Sequence, residues 1–146
     1  MELTTLYQRV IGLDVHQAQI TACAIIQEAD GTTRTEQRQF GAFKRDRREL
    51  AKWAASFNPD QVVMESTGIY WKSPYAALEA VGIRALVVNA RHVKNVPGRK
   101  TDVGDAQWLA TLARAGLLRG SRVPRGKLRG LRLVTRERQK LVGQLS

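Results

Sequence analysis

Val10-Ile-Gly-Leu-Asp-Val15 is an apolar run interrupted by a single acid. Short apolar runs of this kind suit a strand covered on both faces of a sheet. Asp14 is out of place there, because an unpartnered buried carboxylate either loses its charge or carries a desolvation cost of several kcal/mol. Beyond it, Ile20 to Ile26 is a second apolar stretch, closed by the turn signal Glu28-Ala-Asp-Gly31, and Thr32 to Phe40 follows with β-type composition. The spacing predicts three strands joined by hairpins.

From Lys44 the period changes. Leu50, Trp53, Ala54 and Phe57 lie at i, i+3, i+4 and i+7, which predicts an amphipathic helix ending before Asn58-Pro59. Gln61 to Met64 reads as another buried strand, about Tyr70 to Ala80 as a helix with Gly82 at its C-terminal stop, and Ile83 to Val88 as a strand. The segment 89–100 carries Arg91, His92, Lys94, Arg99 and Lys100 around Pro97-Gly98, the pattern of a loop with a basic rim. Asp102 is expected to open a helix that runs to about Ala115 and stops at Gly116.

This order predicts one α/β domain over residues 7–118, a mixed sheet flanked by helices. Residues 119–146 are expected to form a basic, helical C-terminal extension, in which Leu131, Val134, Leu141 and Leu145 fit a heptad seam with Arg138 in the remaining position. About two heptads are too few to name a coiled coil, though they are compatible with self-association. Because the pattern stops at Ser146, the chain is expected to be part of a longer protein, with a naturally short chain as the alternative.

The 146 residues, 43% hydrophobic and 25% charged, are enough for one domain with a real core plus an appendage, and lie far from a disordered composition. No run approaches the roughly 18 apolar residues of a membrane span, and Met1 to Arg9 lacks a signal-peptide pattern, so a cytoplasmic location without membrane contact is expected. Cys23, the one cysteine, excludes an internal disulfide, and its apolar neighbours predict a buried thiol. Charge is more telling: 24 Lys+Arg face 13 Asp+Glu, for a net +11. Residues 1–83 hold 9 basic and 10 acidic side chains, whereas residues 84–146 hold 15 and 3. A polyanion is the natural partner of such a half-chain, because phosphate contacts release counterions and dominate nucleic-acid affinity. Arg91, Lys94, Arg99, Lys100, Arg122, Arg125, Lys127 and Arg129 are the candidate nucleic-acid contacts.

Glu65, after Val62-Val-Met64, repeats the problem posed by Asp14. Neither short run contains a base, and adjacent strands in one sheet would bring the two acids together, where like charges demand a cation. Asp102 and Asp105, at i and i+3, are expected to share a helix face with Leu109 and Leu112. Four oxygen donors at the edge of a core suit Mg²⁺ or Mn²⁺, and two such ions about 4 Å apart can serve the attacking and leaving oxygens of phosphoryl transfer. Plainer readings exist for each acid alone: a helix N-cap with an N3 acid for Asp102 and Asp105, a salt-bridged core acid for Asp14, a turn cap for Glu65. The combination with a polyanion-binding charge excess favours the metal site.

His16 falls on the same side as Asp14 if the strand continues, which permits a role as its partner or as a general base. His92 fits phosphate or solvent contact. Thr67 and Lys100 could position a substrate phosphate, with loop hydrogen bonding or solvation as the alternative. Trp53, Trp71 and Trp108 sit at helical spacing among apolar neighbours, so core packing is expected of them.

Three segments, Ile11-Gly-Leu-Asp-Val-His16, Met64-Glu-Ser-Thr-Gly-Ile-Tyr-Trp71 and Lys100-Thr-Asp-Val-Gly-Asp-Ala-Gln-Trp-Leu-Ala110, resemble the N-terminal domain of the DEDD transposases of bacterial insertion sequences. These are RuvC-like recombinases guided by a bridge RNA, and the resemblance covers nearly all of residues 7–146. It implies an RNase-H-like fold related to Holliday-junction resolvases, DNA cleavage and exchange, and metal-binding D, E, D and D at Asp14, Glu65, Asp102 and Asp105. It further implies DNA and a structured guide RNA as partners and a homo-oligomeric full-length protein. A second, C-terminal domain, joined through a helical region like Arg125 to Ser146, would bear the covalent serine nucleophile. Ser66, Ser73, Ser121 and Ser146 are therefore not assigned that role.

Two competitors remain. Actin-like sugar and acetate kinases also open on an acid-bearing strand and hairpin, but their phosphate turns want Gly, Ser or Thr where Val15-His16-Gln17 stands. A nucleic-acid-binding module with degenerate carboxylates, or a Holliday-junction-type nuclease without transposition activity, fits the charge equally well. Metal affinity separates the pure binding module from the enzymes.

Overall fold

The computed structural model describes residues 7–66, 68–88, 104–118 and 120–121. Strands β1 (Arg9–Val15), β2 (Gln19–Gln27) and β3 (Thr33–Gly41) come first, paired antiparallel in sequence order. The expected turn between β2 and β3 is closed by Gly31 N–H donating to the Glu28 carbonyl at 3.0 Å and Glu28 N–H donating to the Thr32 carbonyl at 2.7 Å. Helix α1 (Lys44–Ser56), strand β4 (Gln61–Ser66), helix α2 (Lys72–Ala80), strand β5 (Leu86–Val88), helix α3 (Asp105–Arg114) and the short strand β6 (Gly120–Ser121) follow. The six strands lie in the order β3-β2-β1-β4-β5-β6, with β1–β4 and β4–β5 parallel and the other pairs antiparallel.

The expected mixed sheet is present, with β5 beginning at Leu86 rather than Ile83 and three further departures. Helix α2 begins at Lys72 rather than Tyr70, because Gly68 at φ 58° starts a turn in which Lys72 N–H donates to the Ile69 carbonyl. Helix α3 begins at Asp105, capped by an extended Gly104 (φ −65°, ψ 158°) whose carbonyl accepts from Trp108 N–H at 2.9 Å. Asp102 therefore does not open this helix. Strand β6 pairs with β5, so the sheet reaches past the boundary expected at residue 118; the helix and heptad seam expected from Arg125 onward lie outside the described residues.

Alternation along β1 sorts the core into two layers. Ile11, Leu13 and Val15 face the layer containing Leu50, Trp53, Tyr75 and Leu78 of α1 and α2. Val10 faces the layer containing Leu109, Ala110 and Ala113 of α3, and Gly12 and Asp14 share its side by period-two geometry. Trp53 packs edge-on against Phe57 with ring centres 5.0 Å apart, and Trp71 against Tyr75 at 5.8 Å. All three tryptophans are buried, as is Cys23, whose thiol is pushed up to about 11 by burial.

Gly12 fixes how closely α3 can lie on the sheet. A Cβ there would stand 2.5 Å from the Ala106 carbonyl oxygen and 2.6 Å from the Ala110 nitrogen, so the helix backbone rests directly on the strand. Tyr7 N–H donates to the Arg114 carbonyl at 2.9 Å, which places the end of α3 at the start of β1 and the beginning of α3 near Asp14. We expect Gly12→Ala to destabilise the fold by about 3 kcal/mol, the upper range for overpacking. Gly104→Ala, which meets no atom within 4 Å, should cost only the N-cap preference, about 1 kcal/mol or less. Urea unfolding of both variants checks the contrast.

Candidate functional site

Asp14 and Glu65 are register partners in the parallel β1–β4 pair. Parallel partners project to the same face, so both carboxylates stand on the α3 side at the C-terminal ends of their strands. Asp14, 8% exposed, is the one buried charged side chain among the described residues, and Glu65 is half-buried. The two side chains hydrogen-bond to each other.

Burial, above all, pushes the Glu65 carboxyl up to about 7; the Asp14 charge, the hydrogen bond to Asp14 and the Asp105 charge act in the same direction, and His16 opposes them. Near neutral pH Glu65 is thus partly protonated, which relieves the repulsion of two full charges side by side. The His16 ring stands at the site with Nε2 3.1 Å from Asp14 Oδ2 and half its side chain in solvent. Its backbone N–H donates to the Gln19 carbonyl at 2.9 Å, closing the turn from β1 into β2. Asp105 is the exposed first residue of α3, where a negative charge suits the helix dipole, and the Gly12 contact holds that helix end beside the pair.

The structure therefore brings Asp14 and Glu65 together, puts Asp105 within electrostatic reach, and confirms His16 as a neighbour of Asp14. Among the described residues no three His, Cys, Asp or Glu side chains converge as a metal-binding group. Asp102 lies outside the described residues, as do Thr67, His92, Arg91, Lys94, Arg99, Lys100, Arg122, Arg125, Lys127 and Arg129. In chemistry the pair fits a hard divalent cation: its donors are carboxylate oxygens, and the proton it retains is what a cation would displace. The sequence reading did not single out Gly12, although a glycine inside a strand is a signal of close backbone approach.

Known proteins resemble the chain in family and in fold. The family model for DEDD transposases of the IS110 type, described as a transposase, matches residues 11–146. No curated protein matches the chain in sequence. RuvC of Thermus thermophilus is similar in structure over 80% of this chain and 100% of that chain, with a TM-score of 0.55 at 13% identity. The same protein in complex with Holliday junction substrate gives a TM-score of 0.53 at 12% identity over 80% of this chain and 99% of that one. The fold is RuvC-like, an RNase-H-like mixed sheet flanked by helices.

The raised Glu65 carboxyl has a stability signature. Between the ordinary carboxylate range and about 7, Glu65 holds a proton in the folded chain and none in the unfolded chain, so its contribution to stability is present at low pH and is lost as pH rises through about 7. In a chelator, the melting temperature should carry a downward component from about pH 5 to about pH 7.5 that Glu65→Gln removes. Parallel pH profiles for parent and variant would contradict the raised carboxyl.

Proposed function

The chain belongs to the DEDD transposase family, and from that membership together with the Asp14–Glu65 pair we propose that it is a metal-dependent, DNA strand-cutting domain of a transposase or site-specific recombinase. The observation that carries the reading is the pair itself, two carboxylates in register on adjacent parallel strands, one of them buried. A purely structural acid pair gains nothing from such an arrangement.

Asp14 and Glu65, with Asp102 and Asp105 added by the family resemblance, would hold Mg²⁺ or Mn²⁺. Bound there, the metal supplies Lewis-acid stabilisation to the attacking and leaving oxygens of a phosphodiester. Glu65 would bind in its deprotonated form, releasing its proton to solvent, and His16, 3.1 Å from Asp14, would orient the Asp14 carboxylate. Arg91, Lys94, Arg99, Lys100, Arg122, Arg125, Lys127 and Arg129 would contact phosphates. A structured guide RNA, a serine-bearing C-terminal domain that makes the covalent bond, and homo-oligomerisation enter this proposal through the resemblance alone. Strand exchange, on this reading, belongs to the longer protein, while metal and nucleic-acid binding belong to the domain over residues 7–118.

Calorimetric titration of Mn²⁺ should show saturable binding with proton release, and Asp14→Asn should weaken it by at least about 100-fold, about 2.8 kcal/mol. Mn²⁺-dependent nicking of supercoiled DNA should disappear in the same variant. Equal Mn²⁺ affinity in both proteins would contradict the metal site and leave a nucleic-acid-binding module.

A further inference from the structure

Helix α1 carries a local cluster of cations. Residues 1–83 hold 9 basic side chains, and Lys44, Arg45, Arg47, Arg48 and Lys52 among them all fall on α1. Lys44, Arg47, Arg48 and Lys52 line a groove of about 520 Å³ between α1 and α2, floored by alanines of both helices and lined by no carboxylate among the described residues. Of the α1 acids, Asp46 is turned to the helix start, where its Oδ2 accepts from Phe43 N–H at 3.0 Å, and Glu49 lies outside the groove lining. The field in the groove is positive.

The groove continues toward the carboxylates. Arg47 and Ser73 also line an adjoining cavity of about 160 Å³, whose other walls include His16, Ile69 and Tyr70. His16 is the ring 3.1 Å from Asp14. Arg47 is held in place by donating to the Ala42 carbonyl at 2.6 Å. Ile69 and Tyr70 are 51% and 38% exposed, large side chains left in solvent at the junction. Cations spaced along a path, with an exposed ring beside it, are what a nucleic-acid strand requires: phosphates pair with Lys and Arg, and a base stacks on the ring.

We propose that the α1–α2 groove is the track for the DNA strand flanking the cut, running from the carboxylate pair past His16 and Tyr70 onto Lys44, Arg48 and Lys52. The inference rests on the strand-cutting reading for its choice of occupant. A strand cut at Asp14 and Glu65 must continue away from them, and His16, which touches Asp14, is also a wall of this positively charged path. The track lies on the sheet face opposite α3, so the strand passes over the end of β1.

Lys44→Ala/Arg48→Ala/Lys52→Ala in the full 146-residue chain tests it. All three side chains are exposed, and circular dichroism verifies the fold. Fluorescence anisotropy with a single-stranded oligodeoxynucleotide over a salt series should show affinity reduced at least tenfold at low salt. The slope of log K against log salt should become shallower by about 2, since each single-strand phosphate contact contributes about 0.7. Mn²⁺ binding should be unchanged. An oligonucleotide carrying bromodeoxyuridine should photo-crosslink to Tyr70. Unchanged affinity and slope, crosslinks confined to other segments, or a loss restricted to RNA or to an acidic peptide would each overturn the track. If the parent chain shows the predicted slope difference but neither binds Mn²⁺ nor nicks DNA, the strand-cutting reading falls and the DNA track stands.

Discussion

Parallel pairing of β1 with β4 puts Asp14 opposite Glu65, at a depth where two negative charges cannot be solvated separately. The backbone ladder gives neither side chain freedom to move to another face, because a parallel register assigns direction to every residue. Protonation, a cationic side chain or a bound cation must therefore settle the charge. Without a metal, burial favours the protonated form of Glu65, and the His16 ring stands against Asp14 from the solvent side. The neighbouring architecture follows from this pair. Gly12, two residues before Asp14, removes the Cβ that would hold α3 off the strand, and the seated helix delivers Asp105 to the rim of the site.

Much of this was legible in the residues. Strands β1, β2 and β4 are apolar runs bounded by turn signals, and the two acids within such runs stood out because their burial has no local remedy. His16 was legible only as an orientation, since the chain leaves strand geometry at Val15 and the turn to Gln19 decides where the ring goes. The start of α3 was misread because Asp102 and Asp105 mimic an N-cap and N3 pair, whereas a glycine can cap a helix through its backbone conformation alone. Strand β6 carries two residues, too few for a period. The α1 groove does not show in the charge of residues 1–83, because acids spread over the rest of that half offset the five cations gathered on one helix.

Membership in the transposase family and a RuvC-like fold are consistent with a division of labour across the sheet. On the proposed reading the α3 face, which holds the acids, carries the chemistry. The α1–α2 face holds cations and exposed side chains that suit the strand. His16 stands at the end of β1 where the two faces meet, touching Asp14 on one side and lining the cavity beside Tyr70 on the other. A negative pocket within a basic frame suits a nuclease, which must draw in a polyanion yet concentrate cations at one phosphate.

The measurement that tests this account most directly is the position of Mn²⁺ in an anomalous difference map from crystals of the chain grown with Mn²⁺ and an uncut DNA strand. The account predicts a peak within bonding distance of both Asp14 and Glu65, with the hydrogen bond between the two carboxylates gone. A map without a peak there, and with a lysine or arginine side chain seated between the carboxylates, would contradict it.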